Sequence, residues 1–203
     1  MDDELTRAVA ERFRAVNGVH EMTPEDDEYV SVWYAPLEEL ATQHGREAAE
    51  LRRLMLANRL PLPSYIRSDG VQMVARDLLA LIEEAGGTDC VREWFAAEWR
   101  SPAEAVVEWD DYLSGRYVCL RDVTPQGMRR KNELVEAISS ELAVPEPDSA
   151  AWLERLHGFV DELDELEPPF APYDRLRFGG PVSRDTLIDD VRRTYAQPAA
   201  RRS

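Results

Sequence analysis

The sequence predicts an all-α protein, a multi-helix orthogonal or bundle-like domain with one small β-hairpin near residues 65–73. Three observations carry this. Apolar residues recur at helical spacing through most of the chain. Helix-start signals repeat: Thr23-Pro24-Glu25-Asp26 and Ser101-Pro102-Ala103-Glu104 each set a capping hydroxyl before a proline and first-turn acids. Strand-type patterning is confined to a single short stretch.

Taken in order, helices are expected over 3–16 and over 24–34, the second started by Thr23. Segments 37–43 and 46–58 flank a His44-Gly45 turn. Tyr65-Ile66-Arg67 and Val71-Gln72-Met73 straddle Ser68-Asp69-Gly70 and read as a hairpin around an Asp-Gly turn. Helices follow over 74–85, 88–99, 102–114, 125–143, 148–166 and 184–195. Within 88–99, Cys90, Val91, Trp94, Phe95 and Trp99 form an aromatic-rich stripe. Within 148–166, an apolar stripe from Trp152 to Leu166 lies opposite Asp161, Glu162, Asp164 and Glu165, an ordinary solvated face. Asp148 and Ser183 are further expected caps. Pro61-Leu62-Pro63 and the stretch Pro168 to Pro172 read as linkers, and Pro198 to Ser203 as a frayed end. The chain divides into an N-terminal helical region, 1–74, and a larger helical domain, 75–203, unless the two are continuous.

Charge narrows the function classes. Acidic residues outnumber basic ones 40 to 24, a formal net charge of −16 that repels nucleic acid and anionic membranes while leaving room for a local basic face. No apolar run reaches the length of a membrane span, so no membrane partner is expected. Met-Asp-Asp-Glu-Leu has no apolar signal core, so a cytoplasmic location is expected. Cys90 and Cys119 each sit in an apolar stretch and read as buried thiols. Standard nucleotide, hydrolase and zinc motifs are absent, so no cofactor is expected. Glu154 and His157 have the Glu-x-x-His spacing of di-iron bundles but lack a second copy, so no metal is expected either.

Two basic segments stand out. In residues 46–67, five arginines (Arg46, Arg52, Arg53, Arg59, Arg67) face two glutamates (Glu47, Glu50). With 37–58 as a helix-turn-helix and the hairpin as a wing, this segment is similar to small winged modules of the excisionase type, which implies a DNA-binding regulator as an alternative function. The other segment runs from Trp109 to Asn132 and holds Lys131, the only lysine of the chain. Thr124 and Pro125 start a helix there whose first turn carries Gln126 and Gly127 instead of acids, followed by Arg129, Arg130 and Lys131. Cations at that end oppose the helix dipole, and an external anion reverses the sign. Arg116 and Arg121 precede it. Arg177 and Arg184 flank a second glycine turn, Gly179-Gly180. The expected ligand site is therefore Arg116, Arg121, Thr124, Gly127, Arg129, Arg130, Lys131, Arg177 and Arg184, unless Asp110, Asp111, Asp122 and Glu133 neutralise those charges internally. Asp110, Asp111 and Tyr112 nearby could supply acid–base groups for an enzyme with a non-standard site; no catalytic residue is specified.

The blocks DDYLSGRYVCLRDVTPQGMRRKNELVEAI and APYDRLRFGGPVSRDTLIDDVRRTY resemble a family of actinobacterial proteins defined by a domain of unknown function and labelled natural-product biosynthesis proteins. The arginine-rich, lysine-poor composition is that of a GC-rich genome. The resemblance implies a place in secondary metabolism and no particular reaction. Together these readings lead to an accessory or biosynthetic protein of bacterial secondary metabolism. It would bind an anionic small molecule, or a group linked to a carrier protein, at a basic helix N-terminus.

Overall fold

The computed structural model describes residues 2–196. Helix α1 (Asp2–Asn17) packs along α4 (Ala48–Leu56). Between them come α2 (Pro24–Trp33), a short strand β1 (Ala35–Pro36) and α3 (Leu37–Gln43). Thr23 caps α2 as expected. Its hydroxyl accepts from the Asp26 N–H at 3.2 Å, and the Asp26 carboxylate accepts from the Thr23 N–H at 2.9 Å, which closes a capping box.

Strands β2 (Tyr65–Ile66) and β3 (Gln72–Val74) form the expected antiparallel hairpin, with Gly70 at φ +86° in its turn. The sequence showed two strands, whereas β1 pairs with the other side of β3 to give a three-stranded sheet in the order β1-β3-β2. Two residues ending in proline carry no alternation to read.

Helices α5 (Leu78–Glu84) and α6 (Val91–Ala96) are shorter than their periodicity suggested, as is α4. Residues 72–74 belong to β3, and the Asp77 side chain turns away from its own helix to accept the Val123 N–H at 2.7 Å. Helix α7 (Pro102–Leu113) starts on Ser101, whose hydroxyl accepts from Glu104 N–H at 3.2 Å. Helices α8 (Pro125–Ala143) and α9 (Ala150–Leu166) pack along each other. The cap of α9 is Ser149 and not Asp148.

The stretch read as a linker continues into a helix, α10 (Pro172–Phe178). Asp174 is fully buried there and accepts the Ala171 N–H at 2.9 Å and the Tyr65 hydroxyl at 2.8 Å. Asp26, also buried, accepts the Tyr173 N–H at 3.0 Å and so fastens α10 to the start of α2. Gly179, at φ +74°, ends α10 in the left-handed conformation that glycine adopts without strain. A π-helical stretch (Arg184–Asp189) then runs into α11 (Asp190–Thr194). Ser183 does not cap it; Asp185 accepts the Val182 N–H at 3.1 Å instead.

The largest apolar cluster joins Val9, Leu37, Leu51 and Met55 to Phe95, Trp109 and Met128, so both expected regions contribute to it. A second cluster fills the space between α8, α9 and the last helical segment. A third gathers Val30, Tyr34, Tyr65, Met73 and Tyr173 around the sheet. Both cysteines are free, but Cys90 is exposed and Cys119 half-buried. Cys90 precedes α6 at the end of a loop, where its side chain faces outward. No described helix is long and apolar enough to cross a membrane.

Candidate functional site

At the start of α8, Thr124 Oγ1 accepts the Gly127 N–H at 2.9 Å. A Cβ at Gly127 would sit 3.0 Å from that oxygen and 3.3 Å from the Asp122 carbonyl, a tight fit that a side chain there could take only if its neighbours gave by a few tenths of an ångström. The basic side chains that follow diverge. Arg130 forks onto Glu162 at 2.5 and 2.6 Å and reaches Glu133 at 3.3 Å; these hydrogen bonds raise its pKa further. Arg129 is half-buried and donates to the Glu98 carbonyl at 3.4 Å. Arg121 lies 4.8 Å above the Trp33 ring and donates to the Glu165 carbonyl at 3.0 Å. Arg116 lies 5.4 Å above Phe178.

Lys131 points to Glu167, Nζ to Oε1 3.1 Å, and Glu167 has no exposed surface. Burial works against the ammonium, but the neighbouring Cys119 and Glu167 side chains outweigh it and the Lys131 pKa is raised. Ser183 donates to the same Glu167 oxygen at 2.5 Å. Arg184 pairs with Asp164. Arg177 is buried and has no carboxylate in its hydrogen-bond shell. It donates twice to Asn17 Oδ1, at 3.1 and 2.7 Å, and to the carbonyls of Ser64 and Gly115 at 2.7 and 2.8 Å. Burial lowers its pKa. It pins α1, the segment before β2 and the end of α7 to α10, which is a structural task. The structure therefore does not bring the nine residues around one opening. Arg130, Lys131 and Arg184 are held by carboxylates, and the anticipated partners Asp110, Asp111 and Asp122 take no part in this.

Four of the five arginines of 46–67 are also engaged, the exposed Arg53 being the exception among the described residues. Arg52 is buried and bonded to Glu38 and, at 2.8 Å, to Gln72, while Arg46 pairs with Glu50, Arg59 with Asp89 and Arg67 with Asp69. His157 is buried and its Nε2 lies 2.9 Å from the Tyr195 carbonyl; no group of potential metal ligands occurs among the described residues. Tyr112 faces the core beside Asp77, and burial raises its pKa.

Another group of cations lies at the start of α7. Helices α6 and α7 pack side by side, and between them opens a hollow of about 410 Å3. Arg92 and Arg100 stand on its wall, Trp99 and Trp109 supply its apolar lining, and Ser101 and Pro102 bring the N-terminus of α7 to it. Arg100 reaches Glu133 at 2.9 Å. Arg92 makes no hydrogen bond or ion pair among the described residues. Trp99 is 7% exposed, and its indole N–H is fully covered without an acceptor. A buried donor without a partner is costly, of the order of 1–3 kcal/mol. Arg100 already has the Glu133 carboxylate, and the Ser101 hydroxyl and the Glu104 carboxylate serve the start of α7. Of the two guanidinium groups on this wall it is therefore Arg92 that is left without a partner among the described residues.

The model of a family of unknown function (DUF6058) matches residues 91–196, more than half of the chain. The chain belongs to this family. Every residue lining the α6–α7 hollow, from Arg92 to Trp109, lies within the matched segment, as do α8, α9 and α10. No curated protein and no solved structure matches the chain.

Sequence reasoning passed over Arg92, Trp99 and Arg100 because Trp99 belongs to an apolar stripe and the arginines flank it without a run. The available signal was the proximity of Arg100 to the Ser101-Pro102 helix start, which places a cation just ahead of a helix N-terminus.

Proposed function

We propose that this protein is an accessory or biosynthetic binding protein that holds an anionic group, on a small molecule or on a carrier, at the arginine-lined start of α7. The observation that carries this is the exposed Arg92, without a partner among the described residues, on the wall of a hollow that the N-terminus of α7 also lines. The resemblance of residues 110–138 and 171–195 to proteins labelled for natural-product biosynthesis lends a setting in bacterial secondary metabolism. Nucleic acid is disfavoured as the anion by the net charge of −16 and by the carboxylates that hold Arg46, Arg52, Arg59 and Arg67.

The test is ligand-induced thermal stabilisation with phenyl phosphate and benzoate, with benzyl alcohol as the neutral control. Stabilisation by the anions alone, lost in Arg92→Ala/Arg100→Ala, is the expected result. No shift with either anion removes the proposal. Arg129→Ala/Arg130→Ala is the companion variant: loss of the shift there, with the Arg92/Arg100 variant unaffected, returns the site to the start of α8.

A further inference from the structure

Near the other end of α7, a cavity of about 20 Å3 lies between the segment before β2, the start of α5 and Tyr112. It shares no lining residue with the hollow at the start of that helix. A space of this size holds one group about as large as a water molecule. Leu62, Val74, Leu78, Leu81 and Val123 make its apolar walls. Ala75, Asp77 and Tyr117 on its lining are only half-buried, so the cavity reaches the surface along that edge.

Four side chains bring oxygens to it. The Tyr117 hydroxyl is engaged, since it donates to the Glu108 carboxylate. The other three have capacity left. Ser64 and Tyr112 are buried, at 7% and 5% exposure, yet their hydroxyls make no hydrogen bond among the described residues and neither is sealed. In Asp77, Oδ1 is covered and without a partner among the described residues, while Oδ2 accepts the Val123 N–H at 2.7 Å and keeps a second lone pair.

No cation offsets the charge of Asp77 among the described residues. Burial pushes its carboxyl up to about 6, and the one charged neighbour that acts on it, Asp122, pushes the same way. At neutral pH a largely ionised carboxylate therefore stands in an apolar wall without compensation. A group kept in that state although it weakens the fold is characteristic of sites that bind or react. The absent partner is a positively charged donor no larger than water. A primary ammonium group fits both demands, and its three N–H bonds match three acceptors around one small space. The net charge of −16 draws such cations to the protein.

We propose that this cavity binds the ammonium group of a small primary amine, with its nitrogen held between Asp77, Tyr112 and Ser64. The carbon attached to the nitrogen points to the open edge beside Ala75 and Tyr117. The site stands apart from the anion hollow at the start of α7 and does not depend on it.

The probe is methylammonium chloride, added in steps to the full chain at constant ionic strength while thermal unfolding is followed. Potassium chloride is the control for a bare cation. Tetramethylammonium chloride is the control for a cation with no N–H donor. A saturable rise in melting temperature with methylammonium alone is expected. Asp77→Asn keeps an acceptor for the Val123 N–H, so the variant should fold and melt cooperatively, yet lose the rise. Tyr112→Phe removes only a hydroxyl and should weaken the apparent affinity roughly tenfold. No rise with methylammonium means that the cavity holds water alone and overturns the proposal. An equal rise with potassium or tetramethylammonium, or a rise that survives in Asp77→Asn, overturns it as well.

Discussion

Lys131 Nζ lies 3.1 Å from Oε1 of Glu167, a carboxylate with no exposed surface, and that contact ties α8 to the segment that follows α9. The second oxygen of Glu167 has no partner among the described residues, so Lys131 and Ser183 carry its whole compensation. Removing one member of such a pair leaves an uncompensated buried charge, whereas removing both charges does not. Lys131→Met should therefore lower the unfolding free energy by about 3–5 kcal/mol, and Lys131→Met/Glu167→Gln should recover most of the loss. Urea denaturation of the two variants and the parent checks this; equal losses in the single and double variants would show that the pair is not the unit.

Asp77 gives a pH dependence with a defined sign. Burial pushes its carboxyl from 3.8 up to about 6, against the pull of the Val123 N–H. A pKa raised by folding contributes stability that is complete below about pH 3.8 and lost as the pH rises through about 6. Asp77→Asn keeps an oxygen for the Val123 N–H and mimics the protonated acid. The variant should exceed the parent by roughly 1–3 kcal/mol at pH 7, with the difference vanishing towards pH 4. Melting curves across that range settle the matter, and a difference that does not change with pH refutes it.

Asp174 is also raised by burial to about 6, yet the same substitution should act in the opposite direction. Its two oxygens accept from the Tyr65 hydroxyl and the Ala171 N–H. An asparagine has one oxygen, so with that oxygen on the Ala171 N–H its NH2 faces Tyr65, whose hydroxyl must turn to accept, and a charge-assisted hydrogen bond is exchanged for a neutral one. Asp174→Asn is expected to destabilise by about 1–3 kcal/mol, with the effect measured by chemical denaturation at pH 7.

Gly115 marks where the chain after α7 passes the proline-rich segment. Its φ is +72°, and an added Cβ would sit 2.5 Å from the Pro63 carbonyl oxygen and 2.8 Å from that of Leu62. Both obstacles are backbone. Gly115→Ala should cost about 2–4 kcal/mol, more than a positive φ alone, because the Leu62 N–H to Leu113 carbonyl bond of 3.0 Å is strained with it. Gly179→Ala, where no atom lies within 4 Å of the added Cβ, is the control and should cost less than Gly115→Ala.

The helices were legible where their start signals are local. Thr23, Ser101 and Thr124 cap as their neighbours in sequence suggest, and the bonds involved span three residues. Helix α10 was not legible. It is short, lies between proline-rich residues and a glycine turn, and buries Asp174 and Arg177 where a periodic pattern would show apolar side chains. Strand β1 is two residues long and owes its existence to the exposed edge of β3.

The basic residues divide on the same principle. Their charge could be read from the chain, but not their partners: Arg130 meets Glu162, Arg184 meets Asp164, and Lys131 meets Glu167, each on a different element. Arg92, on the wall of the α6–α7 hollow and without a partner among the described residues, looked like ordinary surface in the sequence.

By itself the sequence determined an all-α chain with one small sheet, its helix starts and its acidic surface. Those depend on interactions within three or four residues and on composition. Only the tertiary structure decided which cations are spent inside the fold and which line an opening. Ion pairing and solvent exposure are properties of distances between residues remote in sequence, and packing alone sets those distances.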